Sequence, residues 1–258
     1  MFNYLYGPVS SWRLGASLGI DLLSQDEKMC TFDCAYCQLG ATKQFSAERK
    51  IFVPSAAVIE ELERVPPETG IDFFTFAGRG EPTLALNFAE IARYLHASGK
   101  GKTAILTNST LVTRKDVQND LRHVDFAAFK IDAAREETFL ALNKPMAGIQ
   151  LPQVLTALAE FRPSFPGMFV IQVMAVAGNL AEMREIRDIC ASLSPDLVQI
   201  STPIRDSQVP PLDPRQMKDV ETLFEGLPVQ TVYRASRKAV RAFSFAETLK
   251  RRGREQRA

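Results

Sequence analysis

The chain has 258 residues, 46% hydrophobic and 24% charged, with a formal net charge of +1. It is long enough for one large domain or two small ones around a sizeable core, and a charge near zero argues against a dominant polyanionic partner. The start, MFNYLYGPV, has no basic region before an apolar stretch. The longest apolar run, 169–178, is broken by Gln172 and too short to span a bilayer. A cytoplasmic chain with no membrane partner is expected.

Strand-like apolar runs alternate with helical patterns. GASLGIDLL (15–23) reads as a first strand, FFTFAG (73–78) as a second, TAILTN (103–108) as a third and FAAFKID (126–132) as a fourth. MFVIQVMAV (168–176) and DLVQIST (196–202) supply the fifth and sixth. Several are apolar on both faces, as strands covered on both sides are. Between them, Val58, Ile59, Leu62 and Val65 recur at helical spacing. Asn179 and Glu182 have capping-box spacing ahead of MREIRDI. Asp213, Pro214 and Gln216 give a cap, a first-turn proline and a third-position partner. Alternating strands and helices predict parallel β-α units. Six of them suggest an open or partial barrel, whose chemistry belongs at the C-terminal strand ends.

Three of the four cysteines fall within eight residues, as Cys30-Thr-Phe-Asp-Cys34-Ala-Tyr-Cys37. Such clustering fits a metal or cluster site in a reducing compartment better than a disulfide framework. Thiolates suit iron–sulfur clusters and zinc. Three ligands on one short loop hold three irons of a cubane and leave the fourth open. A closed zinc site wants a fourth nearby ligand, and Cys190, His96 and His123 are all remote in sequence. Cys190 follows Ile186 and Ile189 in a helical pattern and reads as a small buried hydrophobe.

With an aromatic, Tyr36, before its last cysteine, this loop resembles the signature of the radical S-adenosylmethionine (SAM) superfamily. The stretches YGPVSSWRLGASLGID (6–21), CTFDCAYCQLG (30–40), FAGRGEPTL (76–84), LTNSTL (106–111), IDA (131–133) and VQISTPIR (198–205) extend the likeness over most of residues 6–233. Together they resemble a small bacterial and archaeal family related to the wybutosine-pathway tRNA enzyme. The chain departs from those relatives at Arg79, where they carry a small residue, at Trp12-Arg13, where they carry a basic pair, and in lacking cysteines for a second cluster.

The resemblance implies an α/β fold, a partial (β/α)6 TIM-like barrel. It implies a 4Fe–4S cluster on Cys30, Cys34 and Cys37, with SAM chelating the open iron. Reductive cleavage of SAM would give a 5′-deoxyadenosyl radical that abstracts hydrogen from a substrate. A flavodoxin- or ferredoxin-type electron donor is implied as a partner. Tyr36 would lie beside the adenine. Gly78, Arg79, Gly80 and Glu81 would form the turn that receives the SAM amino group. Carbonyls and a carboxylate suit an ammonium group, which only donates, and glycines let a backbone approach closely. Asn108 and Asp132, at predicted strand ends, and Gln172, polar inside an apolar strand, are further candidate SAM contacts, each with a capping or structural role as the alternative. Lys130 is either a substrate-side cation or half of an ion pair. The rival reading of the whole chain is a non-catalytic zinc or iron–sulfur binding module, which has no use for the 76–84 turn.

Residues 234–258 carry nine Lys/Arg against Glu247 and Glu255, a net +7, which leaves −6 on the other 233 residues. The expected division is therefore a core over 1–233 and a basic tail over 234–258, helical and then disordered. Basic charge among Tyr233, Phe243 and Phe245 is compatible with RNA contact. A solvated, fraying terminal helix is the alternative.

Overall fold

A computed structural model describes residues 2–254. Its main sheet has eight strands in the order β1-β2-β5-β6-β7-β8-β9-β10. They are β1 (Leu5–Ser11), β2 (Gly15–Ile20), β5 (Phe73–Phe76), β6 (Lys102–Thr107), β7 (Phe126–Lys130), β8 (Met168–Met174), β9 (Leu197–Ser201) and β10 (Val229–Thr231). β1 runs antiparallel to β2, and every later neighbour pairs in parallel. A two-residue ribbon, β3 (Met29–Cys30) with β4 (Gln44–Phe45), forms the base of the cysteine loop. The helices are α1 (Ser55–Glu63), α2 (Phe88–Ala97), α3 (Lys115–Leu121), α4 (Glu136–Leu142), α5 (Leu151–Phe161), α6 (Met183–Ser192), α7 (Pro214–Leu223) and α8 (Phe245–Arg252). The sheet curls into a partial barrel with these helices outside. Among the described residues no helix is long and apolar enough to cross a membrane.

The six strands read from the sequence are β2, β5, β6, β7, β8 and β9. Strand side chains alternate between faces. Leu18, Phe74, Phe76, Ile105, Phe129, Ile171 and Ile200 belong to the large core shared with the helices. A second, smaller core of Leu14, Ala104, Phe126, Ala128 and Val170 fills the barrel near the N-terminal strand ends. That plug leaves the C-terminal half of the interior to polar side chains.

Two strands go beyond the sequence reading. β1 contains Gly7 and Pro8, and its register with β2 shifts between Tyr6 and Val9. Proline donates no hydrogen bond, so a strand that holds it sits at an edge or a bulge. β10 has only three residues.

The cap on α7 matches expectation: Asp213 Oδ1 accepts from Gln216 N (2.8 Å) and Gln216 Oε1 from Asp213 N (3.0 Å). The box expected of Asn179 and Glu182 does not form. Asn179 Nδ2 donates to the carbonyls of Asp132 (2.7 Å) and Met174 (2.9 Å), and Glu182 accepts from Ala134 N (2.9 Å). Both tie the α6 entrance to the β7 exit, because those orphan groups are buried and need partners.

The basic tail does not leave the fold within the described residues. Phe243 N donates to Gly7 O (2.6 Å), Lys238 pairs with Asp72 (3.0 Å), and α8 packs on β1. The disordered end expected after the helix, with Glu255 and Arg257, lies outside the described residues.

Candidate active site

The three clustered cysteines lie on a loop held from two sides. Asp33 N donates to Asn143 O (3.1 Å) and Ala35 N to Leu142 O (2.9 Å), fastening the loop to the end of α4. On the other side, Glu81 N donates to Met29 O (3.1 Å) and Met29 N to Arg79 O (3.3 Å), fastening it to the turn after β5. Cys30, Cys34 and Cys37 all line one cavity of about 280 Å³ inside the barrel, at its C-terminal end. Each sulfur has its own N–H donor: Asn108 Nδ2 to Cys30 (3.5 Å), Asn143 Nδ2 to Cys34 (3.7 Å) and Lys28 Nζ to Cys37 (3.1 Å). Burial pushes the Cys30 thiol up to about 12 and the Cys34 thiol up to about 11. Buried sulfurs so reluctant to ionise alone become stable thiolates when cationic iron compensates them.

This donor set fits an iron–sulfur cubane. Three soft ligands face a shared space, and N–H donors stand behind them as they do around cluster thiolates. A single zinc ion would instead need its ligands to meet at about 2.0–2.3 Å. Among the described residues no three His, Cys, Asp or Glu side chains come together in that way. Cys190 is fully buried in α6, within the large core and away from this cavity.

The turn after β5 owes its glycines to the protein's own packing. A Cβ on Gly80, at φ +149°, would sit 1.7 Å from Met29 O, and one on Gly78, at φ +157°, would sit 2.3 Å from Asp21 Oδ1. Only glycine allows both approaches, and Gly78 and Gly80 line the cavity.

Glu81 does not line the cavity. Its buried carboxylate accepts from Thr83 N (3.1 Å), Thr83 Oγ1 (2.6 Å), Thr107 Oγ1 (2.7 Å) and Asn108 N (2.7 Å). Three of these donors reach Oε1 and one reaches Oε2, so the chain itself holds both oxygens. Glu81 is thus a strap between the turn and the end of β6. Burial raises its pKa, against the lowering effect of these donors. Arg79 also faces away, donating from Nη2 to Asp26 O (3.0 Å) and from Nη1 to Gln25 O.

Two more candidates sit behind the lining. Asn108 bridges Thr31 Oγ1 (2.7 Å) and Cys30, and its Oδ1 accepts from Thr110 N (3.1 Å). Asp132 accepts from the Tyr36 hydroxyl, from Asn143 Nδ2 (2.9 Å) and from Met174 N (2.8 Å), with Lys130 Nζ at 3.6 Å. Tyr36 lines the cavity, with Lys130 Nζ 5.1 Å from its ring centroid. Burial first, and Asp132 second, hold the Tyr36 hydroxyl protonated far above its usual range.

Gln172 lines the cavity as well, and its amide oxygen, oriented to satisfy both partners, accepts from Arg13 Nη2 (2.5 Å) and Nε (3.3 Å). The structure therefore places Tyr36, Gly78, Gly80 and Gln172 around the cysteines, and turns Arg79, Glu81, Asn108 and Asp132 toward the framework. Lys28 and Asn143 were not read from the sequence. Lys28 precedes Cys30 without any motif, and Asn143 reaches Cys34 across 109 positions.

Residues 28–190 match the Radical SAM superfamily, which covers more than half of the chain. The chain belongs to the radical SAM superfamily. It is 36% identical to a UPF0026 protein of Synechocystis sp. over 79% of this chain and 77% of that one. It is 32% identical to a UPF0026 protein of Methanocaldococcus jannaschii over 78% of this chain and 63% of that one. The fold matches Streptococcus suis SuiB bound to S-adenosylmethionine with a TM-score of 0.60, at 17% identity, over 80% of this chain and 48% of that one. It matches anSMEcpe with bound AdoMet with a TM-score of 0.61, at 18% identity, over 84% of this chain and 64% of that one. The chain thus spans about half of SuiB's length. Radical SAM membership brings a 4Fe–4S cluster and SAM as cofactors, and the chain is an enzyme of that superfamily.

Proposed function

We propose that this radical SAM enzyme cleaves SAM reductively and removes a hydrogen atom from a substrate held in the barrel cavity. The observation that carries this reading is the meeting, in one cavity, of the Cys30, Cys34 and Cys37 sulfurs with the Gly78–Gly80 turn. When bound, the cofactors supply one-electron cleavage of the sulfonium C–S bond and hydrogen abstraction.

The chain's own residues divide the rest. Cys30, Cys34 and Cys37 hold the cluster. Asn108, Asn143 and Lys28 orient the three sulfurs and offset their charge. Glu81 strains no ligand itself; it locks the turn whose carbonyls receive the SAM ammonium group. Tyr36, held by Asp132 and Asn143, and Gln172 bound the space for the nucleoside. The small plug of Leu14, Phe126 and Val170 closes the floor and keeps water from entering by that end. Cys34 and Cys37 keep partial exposure, which suits electron entry from a flavodoxin- or ferredoxin-type donor on the loop side.

The test is anaerobic reduction of the reconstituted protein with SAM, followed by chromatography for 5′-deoxyadenosine. Product from the native chain and none from a Cys30/Cys34/Cys37→Ala triple variant is expected. A fully loaded cluster that neither forms product nor binds SAM overturns the reading and favours a non-catalytic binding module.

A further inference from the structure

The segment that follows α4 runs alongside the cysteine loop. Ala35 N donates to Leu142 O (2.9 Å), Asp33 N to Lys144 O (3.0 Å) and Met146 N to Thr31 O (2.8 Å). Lys144 sits at φ +46°, a left-handed conformation that a residue with a side chain keeps only where its surroundings impose it. Asn143 is thereby fixed beside the loop, and it is buried.

Three acceptors lie within reach of its side-chain nitrogen. Cys34 Sγ is at 3.7 Å, the Tyr36 hydroxyl oxygen at 2.9 Å and Asp132 Oδ2 at 2.9 Å. The Tyr36 hydroxyl in turn donates to Asp132 Oδ2, and it also stands in hydrogen-bonding contact with Cys34. One hydroxyl hydrogen therefore has two acceptors, a carboxylate and a cluster ligand. Asn143 has two amide hydrogens, enough to serve both of those acceptors at once.

Asp132 does not depend on that hydroxyl. Its Oδ1 accepts from Met174 N (2.8 Å), its Oδ2 from Asn143, and Lys130 Nζ lies 3.6 Å away. The hydroxyl can turn from it without leaving a buried carboxylate bare. Cys34 has the opposite need. Reduction adds a negative charge that the cluster shares with its ligand sulfurs, and a hydrogen bond to an ionised acceptor is roughly twice as strong as a neutral one. A hydroxyl hydrogen rotates to suit its surroundings.

We propose that Tyr36 is a positioning residue whose hydroxyl hydrogen bonds Asp132 beside the oxidised cluster and turns to Cys34 when the cluster is reduced. The proton stays on the Tyr36 oxygen, so no covalent bond changes, and the electron comes from the donor named above. Asn143 holds the hydroxyl oxygen in place throughout. The aromatic wall of the cavity stays still while one hydrogen follows the charge. This inference rests on the radical SAM reading above, which supplies the cluster.

The test is an EPR-monitored redox titration of the reconstituted, fully iron-loaded protein, with dithionite as reductant. Tyr36→Phe keeps the ring and deletes the hydroxyl. It should lower the midpoint potential by about 60 mV, which is a tenfold change in a one-electron equilibrium. Tyr233→Phe, whose hydroxyl donates to Leu212 O (2.9 Å) instead, should leave the potential unchanged. In deuterated buffer, electron–nuclear double resonance of the reduced native protein should show an exchangeable deuteron coupled to the cluster that Tyr36→Phe lacks. An unchanged potential in Tyr36→Phe overturns the proposal. So does a native deuteron spectrum identical to that of the variant, since the hydroxyl would then stay on Asp132. Neither measurement uses SAM, so a chain that shows both signatures but forms no 5′-deoxyadenosine would fail the radical SAM reading alone.

Discussion

Replacing Glu81 by alanine separates a strap from a ligand. The native carboxylate accepts from two backbone N–H groups, those of Thr83 and Asn108, and from the Thr83 and Thr107 hydroxyls. Hydroxyls rotate to other acceptors, but the two buried N–H groups cannot. Each buried donor left without a partner costs about 1–3 kcal/mol. Taking the lower half of that range for both gives about 3 kcal/mol. In a domain of this size each kcal/mol shifts Tm by roughly 2–4 °C, so Glu81→Ala should melt about 6–12 °C below the native chain. Glu81→Gln keeps the shape but loses an acceptor, and should fall in between. Thermal melts followed by circular dichroism, before any iron is added, make the measurement independent of the cofactors. SAM affinity of the reconstituted variant should fall along with stability, because the turn loses its anchor. An unchanged Tm with lost SAM affinity would refute the strap and make Glu81 a direct ligand.

Cys30→Ala, Cys34→Ala and Cys37→Ala should each lose the cluster, whereas Cys190→Ala should keep about four irons per chain by iron and sulfide analysis. Arg251→Ala should cost about 3–5 kcal/mol in urea unfolding, because it strands the buried Asp21 carboxylate without its cation; an effect below about 1 kcal/mol would mean that α8 is only a solvated end. Lys28→Met should keep the iron yet lower the cluster's midpoint potential in an EPR-monitored titration, because a hydrogen bond to a ligand sulfur favours the reduced, more negative state. A potential that stays the same would show that Lys28 merely packs against the loop.

The parallel strands were legible because their residues are apolar on both faces and their lengths match strands rather than helices. β1 was not, since its Gly7 and Pro8 break the pattern and its pairing with β2 begins the sheet from an edge. The cysteine loop was legible from spacing alone. The polar residues around it were harder. An Asp, Asn or Glu at a strand end looks the same in sequence whether it faces the cavity or a neighbouring loop. Asp132 meets Tyr36 across 96 positions, and Asn108 meets Thr31 across 77. Such partners are chosen by the sheet order, which no local pattern contains. Gln172 was legible because an amide inside an otherwise apolar strand has to find a partner, although its partner, Arg13, comes from the far end of the hairpin.

The charge asymmetry of the chain acquires a structural meaning from the same long-range contacts. The sequence places +7 on the last 25 residues and −6 on the rest, which reads most simply as a free basic arm. Within the described residues the arm is tied to the fold by three ion pairs. Arg234 pairs with Glu221, Lys238 with Asp72 and Arg251 with Asp21. Asp21 in turn accepts from Arg79 N (3.2 Å) and lies against Gly78. The tail thus reaches the turn of the candidate site through one buried carboxylate. Arg251 and Arg252 meanwhile carry its charge to the cavity lining. Burial raises the Asp21 pKa, and Arg251 is the largest influence opposing it. The pair therefore depends on α8 staying docked, since a lone buried carboxylate is costly. A tail that neutralises the body from inside adds little to the overall charge and much to the local one. That arrangement supplies Arg251 and Arg252, two of the six cations that line the cavity of a chain of net charge +1.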